Sequence, residues 1–105
     1  MSEATQFTSG EVLIVATDLV VEVFHRAYEK PSRLPTAWVG IRIKANRHDE
    51  YEVTFGQADP PDQPIYGEDV NVSNYGIVFD VPSADEPRLR AFFADVAARA
   101  GRRAT

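Results

Sequence analysis

The chain has 105 residues, no cysteine and a formal net charge of −5, which is enough length to bury a core in one domain without metals or disulfides. The missing cysteines exclude a disulfide framework and thiol chemistry, in keeping with a reducing cytoplasm. The longest apolar run, residues 12–16, is far too short to span a bilayer, and residues 1–6 hold no basic segment leading into an apolar one. A soluble, unprocessed, cytoplasmic single domain over residues 1–105 is therefore expected, without membrane insertion.

In chain order, residues 1–9 read as a flexible N-terminus. Residues 11–17 and 19–27 are rich in Val, Ile, Leu and Phe, with Thr17-Asp18 as a tight break, and read as a hairpin or one long bent strand. Two prolines and Ser32 make 28–35 a loop. From Ala37 the alternation is clear: Val39, Ile41, Ile43 and Ala45 share one face against Gly40, Arg42 and Lys44. Asn46-Arg47-His48-Asp49 is turn-like, and Tyr51, Val53 and Phe55 then resume the apolar face, completing the clearest hairpin in the chain. Residues 57–64 hold three prolines and form an irregular connection. Residues 65–72 are partly extended, Ser73-Asn74-Tyr75-Gly76 reads as a turn, and Ile77, Phe79 and Val81 line a final strand.

The chain closes with a helix. Leu89, Phe92, Phe93, Val96, Ala97 and Ala100 fall on one face at 3.6 residues per turn. An Asp85 cap places Pro87 at the second helical position, where its missing N–H has no helical acceptor to lose. Gly101 can adopt the left-handed conformation that ends helices, so the helix is expected over 86–100, with 102–105 as a short tail. Charge is divided along the chain: residues 1–87 sum to −9 and residues 88–105, with five arginines against Asp95, to +4. The acidic body should repel nucleic acid and anionic membranes. The arginines read as a solvated outer helix face rather than a nucleic-acid footprint, which would interleave exposed aromatics.

Five strands, with one or two more near Tyr66 and Val70, and one C-terminal amphipathic helix indicate an α+β class. The expected architecture is a strongly bent antiparallel sheet or small, partly open β-barrel of five to seven strands capped by that helix. In this element order, and in the close Val81-Pro82-Ser83-Ala84-Asp85-Glu86 running into the helix, residues 10–101 resemble a bacterial pleckstrin-homology-like domain. The chain departs from eukaryotic members in lacking a tryptophan in the closing helix, where Phe92 and Phe93 stand. Phosphoinositide-binding members carry cations around the first hairpin, whereas Thr17-Asp18 offers only an acid, so the resemblance implies a fold without phosphoinositide binding. A cystatin-like or other helix-on-sheet arrangement is the alternative, although those place a long helix early.

No catalytic, cofactor or metal motif stands out. His25 and His48 have no metal-ligand spacing, no Gly-x-Ser-x-Gly elbow occurs, and the six glycines stand singly. One constellation invites a binding role. Strict alternation puts Trp38, Arg42 and Lys44 on the face opposite Val39, Ile41 and Ile43, an aromatic beside cations, as in the anchor and rim of protein contacts. A burying bend at Trp38 is the competing reading. The expected function is an interaction or scaffold module that binds a protein or peptide, or itself, without cofactor. The alternative is a small-ligand-binding protein or enzyme using the cavity of a bent sheet, with Asp49 or Glu52 as acid-base groups.

Overall fold

The computed structural model describes residues 4–105, a compact α+β fold of two four-stranded sheets and one C-terminal helix. The first sheet is an antiparallel meander of β1 (Thr5–Ser9), β2 (Val12–Ala16), β3 (Val20–His25) and β4 (Ser32–Pro35). A 3-10 turn over Thr36–Trp38 leads into the second sheet, made of β5 (Val39–Ala45), β6 (Glu50–Ala58), β7 (Tyr66–Gly67) and β8 (Val72–Pro82) in the order β7-β5-β6-β8. A second 3-10 turn, Ser83–Asp85, feeds α1 (Glu86–Arg99).

The α+β class and the C-terminal helix are as expected; the strands of the expected bent sheet or partly open barrel fall into two sheets, with no closed barrel. β4 reaches β8 at the Ser32 hydroxyl, which donates to the Gly76 carbonyl at 2.7 Å, but no strand ladder joins them. Two expected irregular segments are strands. Phe7 is buried, so Thr5–Ser9 pairs with β2 instead of hanging free; residues 1–3 of that expected flexible terminus lie outside the described residues. Ser32–Pro35 pairs with β3 despite its flanking prolines, because an edge strand needs ladder donors on one side only. β7 joins β5 in parallel, a pairing between distant segments that local alternation does not reveal.

The helix begins with Asp85 at the cap position and Pro87 in its first turn. The Asp85 carboxylate accepts the Ser9 hydroxyl at 2.7 Å and makes no side-chain cap bond, so it ties the helix start to β1. At the other end Gly101 has φ +69°, and the Arg102 and Gly101 N–H groups donate back to Ala97 and Ala98. This double bond pattern is the Schellman close that a left-handed residue allows.

One hydrophobic cluster fills the space between the sheets and under the helix. It joins Ile14, Val21 and Val23 of the first sheet to Ile41, Val53, Phe55 and Val81 of the second and Leu89, Phe93 and Val96 of the helix. Phe92 is only half-buried and packs at the margin against Phe7 at 6.0 Å between ring centres. The helical stripe therefore centres on Phe93, not on the pair.

The second sheet folds over itself where Gly40 and Gly56 face each other across β5 and β6. A Cβ on Gly56 would stand 2.3 Å from the Val72 Cγ1, and one on Gly40 would stand 3.0 Å from the Ala58 Cα. Only bare glycines let the chain cross this closely. Beyond the crossing, two residues of β6 span four of β8, so the segment expected as a turn is a bulge within one long strand, with Asn74 at φ +49°.

Candidate functional site

The outer face of the second sheet carries the polar side of the alternation. Across β5, β6 and β8 the register aligns Lys44, Glu52 and Asp80 in one row and Arg42, Thr54 and Val78 in the next. The turn at residues 68–69, where the chain leaves β7, rises beside β5. Together Arg42, Lys44, Glu52, Thr54, Glu68 and Asp69 line a solvent-open cleft of about 710 Å³. Two cations and three carboxylates make its formal charge −1.

Of the residues singled out in the sequence, Arg42 and Lys44 share this cleft. Trp38 does not line it. It ends the 3-10 turn before β5 and is 52% exposed, while Val39 and Gly40, between it and Arg42, are both buried. The strict alternation from Trp38 fails there because the glycine crossing covers Gly40 on what would be the open face.

The cleft's charges differ in how they are held. The Arg42 guanidinium lies 5.7 Å from the centre of the Tyr75 ring and donates to its hydroxyl at 3.4 Å. The β8 bulge carries Tyr75, so the irregularity in that strand orients the cation. Among the described residues Lys44, Glu52, Glu68 and Asp69 form no ion pair. Tyr75, Glu68 and Asp69 were not picked out from the sequence. The short extended stretch before Glu68-Asp69 was the available signal, but its parallel pairing with β5 is what brings the acids to Arg42 and Lys44.

Arg88, Arg90 and Arg99 lie on the exposed outer face of the helix, as expected, and Arg102 of the tail departs from that reading. Arg90 pairs with Glu86, Arg99 with Asp95 at 3.1 Å, and Arg88 with Asp85 at 3.5 Å while lying over the Phe7 ring. Arg102 is half-buried and donates to the carbonyls of Val39 at 2.6 Å, Thr36 at 3.0 Å and Gln63 at 3.4 Å. Desolvation lowers its pKa. Arg103 donates to the Asp62 carbonyl at 2.9 Å, and the tail backbone accepts from the Ile65 and Tyr66 N–H groups at 3.0 and 3.2 Å. The short tail is thus docked along β7.

The histidines are engaged locally. His25 Nδ1 accepts the Ala27 N–H at 3.0 Å, and the His48 N–H donates to the Asn46 side chain at 2.9 Å in the β5–β6 turn. Among the described residues no group of three or more His, Cys, Asp or Glu side chains is placed to hold a metal ion, and no helix is long and apolar enough to cross a membrane. The arrangement can present charge and backbone to a partner. No family model, curated protein or solved structure matches the chain.

Proposed function

We propose that this protein is a non-enzymatic interaction module that binds a protein or peptide at the Arg42–Lys44 face of its second sheet. The observation that carries the reading is the contrast between a filled interior and a charged outer cleft whose Lys44, Glu52, Glu68 and Asp69 have no ion partner among the described residues. Charges left unpaired on a concave face suit recognition of a complementary surface. The half-exposed Trp38, next to the same strand, supplies an aromatic anchor of the kind common at contacts.

The alternative, a ligand or reaction inside a bent sheet, has less support: the three clefts among the described residues are open to solvent, and one apolar cluster packs the two sheets and the helix together. The internal partners of the C-terminal arginines likewise favour a protein or peptide over nucleic acid. A pleckstrin-homology-like fold is compatible with strands followed by a closing helix. Phosphoinositide binding is not part of the proposal, because the first two hairpin turns carry Glu11 and Asp18. The test is affinity capture of partners by the native chain and by an Arg42→Glu/Lys44→Glu variant of unchanged thermal stability. A defined partner whose retention differs between the two, rising in the variant for a basic partner and falling for an acidic one, supports the reading; equal retention by both removes this face from it.

A further inference from the structure

The edge of β5 is covered for only part of its length. The Ile41 N–H donates to the Ile65 carbonyl at 2.7 Å, so the Ile41 peptide groups face β7. The two-residue period of a strand turns the peptide groups of Ile43 and Ala45 to the same edge. The ladder with β7 ends at Arg42 against Gly67, and the chain then turns off through residues 68–69. On its other edge β5 stays paired with β6 as far as Ala45 against Tyr51. The parallel pair of Arg42 with Gly67 uses the Ile43 N–H, so the Ile43 carbonyl and both peptide groups of Ala45 form an edge lacking a strand partner among the described residues, and Ile43, Lys44 and Ala45 all line the cleft.

We propose that this edge takes an extended, lysine- or arginine-bearing peptide segment as an added strand in line with β7. The proposal rests on the interaction-module reading and names its partner. Backbone pairing supplies affinity in such additions and alternate side chains supply specificity. Three strand residues span roughly 10 Å, so the paired part of the segment is short. Charge favours a basic side chain: the three carboxylates Glu52, Glu68 and Asp69 outnumber the cations Arg42, which Tyr75 holds in place, and Lys44, and among the described residues neither Glu68 nor Asp69 has an ion partner where the segment would meet the end of β7.

The test uses four end-blocked peptides of eight residues: one alternating lysine and valine, one alternating glutamate and valine, and two forms of the lysine peptide N-methylated at alternate amides, one in each register. Binding is read by titration calorimetry and by amide hydrogen exchange. The expected result is binding of the lysine peptide with at least tenfold slower exchange at Ala45, no binding of the glutamate peptide, and at least tenfold weaker binding of the one N-methylated form whose methyls face β5. Ala45→Pro removes the edge N–H, and Glu68→Lys/Asp69→Lys reverses the selecting charge; each should weaken lysine-peptide binding about tenfold, the loss expected for one good hydrogen bond or ion pair. If Ala45→Pro lowers thermal stability, the charge reversal and the N-methylated peptides still decide.

Equal binding of the N-methylated and parent peptides, with Ala45 exchange unchanged, overturns strand addition but leaves the interaction module standing. Preferred binding of the glutamate peptide overturns the basic partner. Failure of the lysine peptide to bind at millimolar concentration overturns the proposal, and the capture experiment with Arg42→Glu/Lys44→Glu then decides the broader reading separately.

Discussion

The phenol of Tyr66 in β7 donates to the carboxylate of Glu86 in the first turn of α1 at 2.7 Å, and both residues are buried, at 2% and 3% exposure. Arg90, one helical turn on, closes on the same carboxylate with Nε at 3.1 Å and with Nη2. A buried carboxylate is tolerated only when its charge is met by donors. Here those donors come from a two-residue strand and from the helix itself, so the triad bolts the start of α1 to the second sheet.

Breaking the bolt should cost stability from either side. Tyr66→Phe removes one donor from a buried carboxylate, and Glu86→Ala orphans the phenol, each by about 1–3 kcal/mol. The double variant should cost less than the sum, because the two changes remove one shared interaction. Urea unfolding of the four proteins measures this coupling. Strict additivity would mean that the bond contributes nothing in solution.

The same pair makes stability fall in alkali. Burial foremost, then the hydrogen bond to Glu86, pushes the Tyr66 phenol well above its ordinary 10.0. Below that value the phenol is protonated in both the folded and the unfolded chain. Above it only the unfolded chain releases the proton, so its contribution is lost as pH rises, by about 1.4 kcal/mol per unit above about pH 10. Denaturation midpoints of the native chain should drop between about pH 9 and about pH 11, and Tyr66→Phe should drop less. Identical alkaline profiles would refute the assignment.

Arg102 is expected to matter more than an exposed tail arginine. Its guanidinium gathers three carbonyls, from the turn before β5, from β5 itself and from the loop at Gln63. Arg102→Ala leaves these acceptors without their charged donor and should cost about 2–3 kcal/mol, whereas Arg103→Ala, with one exposed contact, should fall within about 0.5 kcal/mol. Thermal melts of the two variants give the comparison, and equal shifts would contradict it.

What could be read from the chain was what local periodicity encodes. The β5–β6 hairpin and the closing helix both declare themselves by apolar spacing, and the same alternation correctly turned Arg42 and Lys44 outward. The misreadings all sit where distant segments meet. Thr5–Ser9 has the composition of a loose terminus and becomes a strand because Phe7 finds Phe92 and the core. Glu86, by position a first-turn acid that favours a helix start, is buried because Tyr66 arrives from another element. Glu68 and Asp69 join the cleft only through a parallel pairing, and the apparent turn at Asn74 is a bulge imposed by the crossing at Gly56.

That crossing yields a sharp prediction. Gly56→Ala would set a methyl 2.3 Å from the Val72 Cγ1 and 3.0 Å from the Ser73 carbonyl oxygen. The valine can rotate, but the backbone oxygen yields only if β8 shifts, so overpacking should destabilise by about 1–3 kcal/mol. A helper substitution separates the two contacts: Val72→Ala in the Gly56→Ala background removes the side-chain clash while leaving Ser73 in place. If the double variant is more stable than Gly56→Ala alone, the valine carries most of the strain; if it is not, the backbone approach does.

The helix face supplies the last comparison. Phe93 is fully buried and stacks on Tyr66 at 5.9 Å between ring centres, whereas Phe92 meets Phe7 at the margin and remains partly open to solvent. Truncating a buried phenylalanine costs about 3–5 kcal/mol, the lost transfer energy plus the cavity left behind. Phe93→Ala should therefore unfold a domain of ordinary stability, or nearly so, while Phe92→Ala, with less surface to lose and a rim that can collapse, should cost about 1–2 kcal/mol. Urea midpoints of the two variants decide the order. A larger loss at Phe92 would show that the helix is seated a fraction of a turn away, with its stripe centred on the Phe7 side of the core.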